Sequence, residues 1–217
     1  ANVVASLAKD KPDDVHLRPH FVTGVAVACI TKDGYVIVGS RDANRDKADK
    51  TKFPAQFPCG FIDTNEQFYE QIKTKEGLRK AILENGLREF EEEAVQGATY
   101  KKAQFIGGIY KSQTWPSKRA DSGKKEVLNF KTLVVLCEVD KTFAEMQEAR
   151  RANPPKDMHE MVTMGGVHIS ELGNMLSNPT VELEGGKREF VAEHGEIFKV
   201  LAGHYKSLEA PQTLQER

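Results

Sequence analysis

Cysteine is scarce in this sequence. Cys29, Cys59 and Cys137 stand far apart, odd in number and without a C-x-x-C pair. That argues against a disulfide framework and against a zinc cluster, and a reducing cytoplasmic compartment is the expectation. Long apolar runs are also missing. None approaches the roughly 18 residues that span a bilayer. The opening stretch ANVVASLAKDKPDDV lacks the basic segment and long apolar core of a signal peptide, so no membrane association is expected. Net charge is missing too, since 31 Lys and Arg against 32 Asp and Glu leave −1. No global field would gather nucleic acid or anionic lipid. An anionic ligand has to be handled locally, by a metal or a few placed arginines. Internal repeats and low-complexity segments are absent.

What is present reads as a soluble globular protein, with 39% hydrophobic and 29% charged residues in 217. That length suits one domain with a good core, or at most two small ones. Residues 1–19 read as a polar arm. FVTGVAVACITKDGYVIVGSR (Phe21 to Arg41) is a β-hairpin, two β-branched runs around Lys32-Asp33-Gly34. A charged surface loop, DANRDKADKTKFPAQ, follows. FPCGFID then places Pro and Gly inside an apolar stretch, which suggests a loop or bulge where backbone approaches another group closely. From Asn65 to about Val95 the period is helical, with Leu83, Leu87, Phe90 and Ala94 on one stripe. Gly86 within it suggests a close neighbour. Strands are expected near Ala103–Tyr110, Leu128–Val139 and Met161–His168. DKTFAEMQEARRANPP reads as a helix ended by prolines. Ile169–Leu176 suggests a short helix with Ser170 as its cap. Lys187–Leu208 suggests a long C-terminal helix, and residues 209–217 a frayed tail. This order implies one α/β domain with a mixed sheet.

The stretch LREFEEEAV (Leu87 to Val95) concentrates charge of one sign. On a helix, Glu89, Glu92 and Glu93 fall within roughly 100° of each other. The stripe of Leu83, Leu87, Phe90 and Ala94 is then expected on the opposite face, and Glu91 outside the triplet. Like charges at this spacing repel and raise each other's pKa. A divalent cation reverses both effects, and such oxygen donors suit Mg²⁺ or Mn²⁺. Arg88 is placed to pair with Glu92. Spacing alone leaves a solvated acidic face and a metal site both open.

Upstream, Gly60 is followed by five residues and then Glu66. Together, Gly60-x5-Glu66 and Arg88-Glu89-Phe90-x-Glu92-Glu93 resemble the box of the Nudix hydrolases. The likeness extends from the hairpin, with Arg41 at its end, to the stretch VHISEL near Val167, so roughly Phe21 to Leu172. Three departures stand out. Between Glu66 and Arg88 lie 21 residues (Gln67 to Leu87), where the box has seven, an insertion of 14 that itself looks helical. Val95 stands where the box has a helix-ending glycine, which Gly97 could replace if the helix runs two residues longer. Cys59 stands where a glycine often precedes Gly60.

The resemblance implies an α/β/α sandwich with a mixed sheet, spanning residues 1–217 as a single domain with an insertion in region 67–87. It implies a hydrolase that uses Mg²⁺ or Mn²⁺ to cleave a pyrophosphate bond in a nucleoside diphosphate linked to another moiety. Glu89, Glu92 and Glu93 become the metal ligands, joined by the Gly60 carbonyl, with Glu92 and Glu93 the foremost pair. The general base is a box glutamate or one from a later loop, where Glu160 is the candidate and His159 a weaker one. Arg41, Tyr110 and Trp115 are candidates for substrate binding, beside a basic loop containing Lys111, Lys118 and Arg119. The partner expected is a nucleotide-type small molecule. Relatives of this kind are often homodimers, although no interface is legible here. A second reading is a Nudix-fold module that binds a nucleotide or RNA end without cleaving it. A third, a diphosphate-ester isomerase, lacks the Cys and His arrangement it would need.

Overall fold

A computed structural model describes residues 21–40, 54–62, 66–116, 125–157 and 160–209. The arm, Arg41, most of the loop after it, His159 and the tail lie outside the described residues. The hairpin forms as expected, from β1 (Phe21–Ile30) and β2 (Tyr35–Ser40). Gly34 takes the left-handed φ of 86° that the turn requires. Asp33 in the same turn accepts hydrogen bonds from the Thr31 hydroxyl at 2.6 Å and from the Phe143 backbone N–H at 2.9 Å. The turn is thereby fastened to the start of a later helix.

The two hairpin strands pair directly only near the turn, at Ile30 and Val36. Beyond it they part, and the FPCGFID stretch enters the gap as two short strands. These are β3 (Ala55–Gln56), which pairs with β2, and β4 (Cys59–Phe61), which pairs with β1. The expected loop is therefore a wedge built into the sheet. Ala55 and Gln56 pair with β2 and Cys59, Gly60 and Phe61 with β1, so Pro58 sits between the two short strands rather than within one.

On its other side β1 runs parallel to β6 (Lys125–Val139), which is antiparallel to β5 (Tyr100–Pro116). β7 (Thr163–His168) pairs antiparallel with β2. The result is a mixed seven-stranded sheet among the described residues. Strands buried on both faces explain the near-continuous apolar runs of β1 and β6.

Two apolar layers cover the sheet. On one face, Val25, Val27, Leu133 and Val135 pack with Ile82 and Phe90 of α2 (Lys75–Glu93), with Ala94 that caps its end, and with Met146 of α3 (Phe143–Ala152). On the other, Ala26, Ala28, Val134 and Leu136 pack with Ile197, Phe198 and Leu201 of α5 (Ala192–Glu209). This is the α/β/α sandwich with a mixed sheet that the resemblance implies. Among the described residues no helix is long and apolar enough to cross a membrane. No disulfide joins Cys29, Cys59 and Cys137.

Several boundaries differ from expectation. The helix expected from Asn65 to Val95 is two, α1 (Glu66–Gln71) and α2. Thr74 interrupts it by accepting a 2.9 Å hydrogen bond from the Gly77 N–H, as an N-cap does. The insertion thus forms α1 and lengthens the front of α2. Residues Gly186–Glu189 are a strand, β9, paired with β8 (Thr180–Leu183), so the last helix starts at Ala192 and not near Lys187. The positive φ of Gly185 and Gly186 permits that tight turn. After β7 comes a 3-10 turn (Ile169–Glu171) leading into α4 (Leu172–Ser177), and His168 caps it rather than Ser170.

Candidate functional site

The wedge and α2 build the site between them. Gly86 lets the helix sit close on the sheet: a Cβ there would lie 3.1 Å from Val135 and 3.2 Å from Val25. That is the close neighbour its small side chain suggests. One turn further on, Glu89 lies against Gly60, where any Cβ would overlap its carboxyl group. Another turn on, Glu93 accepts a 3.1 Å hydrogen bond from the Cys59 backbone N–H. Glu89 is 9% exposed and Glu93 3%.

The triplet is therefore not opposite the buried stripe, as its spacing suggested. The buried arc of α2 widens to take in Ile82, Gly86, Glu89 and Glu93 beside Phe90 and Ala94. The reason is the wedge, which lays a polar backbone edge under part of the helix. Burying two carboxylates side by side is costly unless they are hydrogen-bonded and paired. The structure supplies both remedies. Arg88 reaches Glu89 at 2.6 Å and Glu92 at 2.8 Å, so its guanidinium bridges two members of the triplet. The expected pairing of Arg88 with Glu92 is present, and Glu89 joins it. Among the described residues, no three His, Cys, Asp or Glu side chains are grouped so as to hold a metal ion. As oxygen donors, Glu89, Glu92 and Glu93 suit Mg²⁺ or Mn²⁺. Arg88 occupies carboxylate oxygens of Glu89 and Glu92 that such an ion would use.

The end of α2 carries a feature that the sequence reading missed. Arg150 of α3, 8% exposed, donates 2.6 Å hydrogen bonds to the carbonyls of Glu93 and Ala94. It also donates to the Met161 carbonyl. These are orphan carbonyls of a helix terminus, which a cation satisfies well. Val95 instead turns into the core. α2 stops at Glu93 and does not run on to Gly97, which takes a left-handed φ of 64° in the following turn. Burial pushes the Arg150 pKa down, while the Glu93 charge pushes it back up. The signal was available: Met146, Ala149 and Arg150 share one face of α3, so Arg150 lies on its buried stripe.

The same bond brings the later loop to α2. The Asp157 N–H donates to the Glu92 carbonyl at 2.9 Å, and Gln56 of the wedge donates to the Glu160 carbonyl at 2.7 Å. Glu160 is half-buried beside this junction, so the chain brings the base candidate to the end of the carboxylate helix. On the opposite side of the wedge, His194 Nδ1 accepts from the Phe57 N–H at 2.8 Å, and its Nε2 lies 3.7 Å from Cys59 Sγ. His194 opens α5, and no motif pointed to it.

Of the substrate candidates, only Tyr110 has a described side chain, and it is not gathered with the carboxylates. Tyr110 is on β5, with β6 and β1 between it and the wedge. The Trp115 backbone pairs with Glu126 near the end of the same strand, and its side chain lies outside the described residues. Arg41, Lys118 and Arg119 lie outside them as well. Glu66 begins α1.

No family model matches the sequence, and no curated protein matches it. Solved structures with a similar course include a NUDIX hydrolase from Nitrosomonas europaea, at 13% identity, TM-score 0.46, and coverage of 90% of this chain and 97% of that one. Another is the NUDIX domain of Shewanella oneidensis NrtR complexed with ADP ribose, at 9% identity and TM-score 0.46, covering 94% and 98%. A third is the MutT protein from Methanosarcina mazei Go1, at 13% identity and TM-score 0.42, covering 88% and 99%. At these values the functional reading rests on the residues of the site.

Proposed function

We propose that this chain is a Nudix-type hydrolase that cleaves a pyrophosphate bond in a nucleoside diphosphate linked to another moiety, using Mg²⁺ or Mn²⁺. The observation that carries the reading is the seating of Glu89 and Glu93 against Gly60 and Cys59, which joins the two halves of the box across the insertion. Glu89, Glu92 and Glu93 would hold the ion, with the Gly60 carbonyl as a further donor. The ion would polarise a phosphoryl oxygen and lower the pKa of bound water. The protein's part is position and charge. The wedge fixes the carboxylates, and Arg88 balances their charge at rest. Arg150 holds the end of α2 to the loop that carries Glu160, the proposed base. Such fixed arrangements account for most of the catalysis in phosphoryl chemistry. The ligand is of the nucleotide class, the work is cytoplasmic, and a homodimer is the proposed assembly.

The test is a chromatographic screen of nucleoside diphosphate sugars, dinucleotides and nucleoside triphosphates. Turnover is expected with Mg²⁺ or Mn²⁺ and none after chelation. A second reading is a module that binds a nucleotide or RNA end without cleavage. It is favoured by the hold of Arg88 on Glu89 and Glu92. Nucleotide binding with no turnover in any metal would select it.

A further inference from the structure

Lys131 on β6 is a buried cation with no described counter-charge. It is 7% exposed, and its ammonium lies 5.3 Å from the centre of the Tyr110 ring. No hydrogen bond or ion pair joins it to any described residue. Among the described residues a ring face is its one polar contact, and such a contact offsets only part of the cost of taking an ammonium out of water.

The position fits a ligand. Lys131 alternates in phase with Leu133 and Val135, so it shares the sheet face on which α2 lies. Across the strands it stands level with Thr23 and Tyr110. Gly60, which carries Glu89 above it, stands level with Val25 and Leu133. Lys131 is therefore two strands over and two residues along from Gly60, about 12 Å by sheet spacings. Tyr110 is 61% exposed, so its ring is open to solvent while it covers the ammonium.

We infer that Lys131 and Tyr110 form an oxyanion subsite for a phosphoryl group of the ligand. The ammonium takes the charge and the ring packs against the attached group. This deepens the proposed function by naming where that ligand's phosphate is held away from the carboxylates. Inorganic pyrophosphate and ADP test it by titration calorimetry, in chelator, with wild-type protein and Lys131→Met. Because no metal is present and no turnover is read, the hydrolase reading stands or falls separately. Wild type is expected to bind ADP more tightly than pyrophosphate, and Lys131→Met to weaken both at least tenfold. Lys131→Arg, which keeps the charge, is expected to restore part of that loss. Removing an uncompensated buried charge should also leave Lys131→Met as stable as wild type or more so. Should that variant fail to fold, Tyr110→Ala at the exposed ring takes its place, with a several-fold loss for ADP expected. Equal binding by wild type and variant, or no binding of either probe to wild type, overturns the inference. So does a Lys131→Met protein that melts lower yet binds normally, because the lysine would then be structural.

Discussion

At residue scale the site turns on positions where a side chain is missing or unexpected. Gly60 is one. Any Cβ there would overlap the Glu89 carboxyl, so its requirement is space rather than a turn. Gly60→Ala is expected to displace Glu89 and lower turnover at least tenfold. It should cost only about 1–3 kcal/mol of stability, the usual range for crowding one methyl group. Steady-state kinetics beside a denaturant melt separates the two effects. Val95 is the other such position. A glycine ending was expected there, and the chain instead buries the valine and closes the helix with a guanidinium from elsewhere. Glu89, Glu92 and Glu93 were legible as a cluster because their nearness depends on spacing along one helix. Arg150 and Lys131 were not, because each acts across the fold on partners distant in sequence.

At the scale of elements, the hairpin, the long sheet strands and the carboxylate helix were readable from period and turn chemistry. The wedge was readable only as an apolar stretch interrupted by Pro and Gly. Two strands this short carry too few residues to show alternation, and their pairing depends on β1 and β2 having parted. β9 escaped for a similar reason, since Gly186–Glu189 owes its strand to pairing with β8 and not to its own propensity. The junction of α2, α3 and the loop after α3 rests on Arg150. Arg150→Met is expected to leave three carbonyls without a donor and cost about 3 kcal/mol. That corresponds to roughly 10 °C in melting temperature for a chain of this size. Arg150→Lys should recover only part, because a single ammonium cannot replace the planar fork. A melt of the same stability as wild type in Arg150→Met would show that the junction holds without it.

For the whole molecule, the sandwich divides the work. One face of the sheet carries α2, with its carboxylates seated on the wedge, and the other carries α5, whose His194 accepts a hydrogen bond from the same wedge. The wedge is thus held from both sides, which gives the carboxylates a fixed floor despite the insertion between the halves of the box. The central claim is that this floor and helix form a metal-dependent hydrolytic centre. The most direct measurement compares turnover of the best nucleotide substrate by wild type and Glu93→Gln in Mg²⁺, with circular dichroism to verify the fold. The account predicts a loss of several orders of magnitude in a variant that remains folded. Turnover equal to wild type in that folded variant would contradict it.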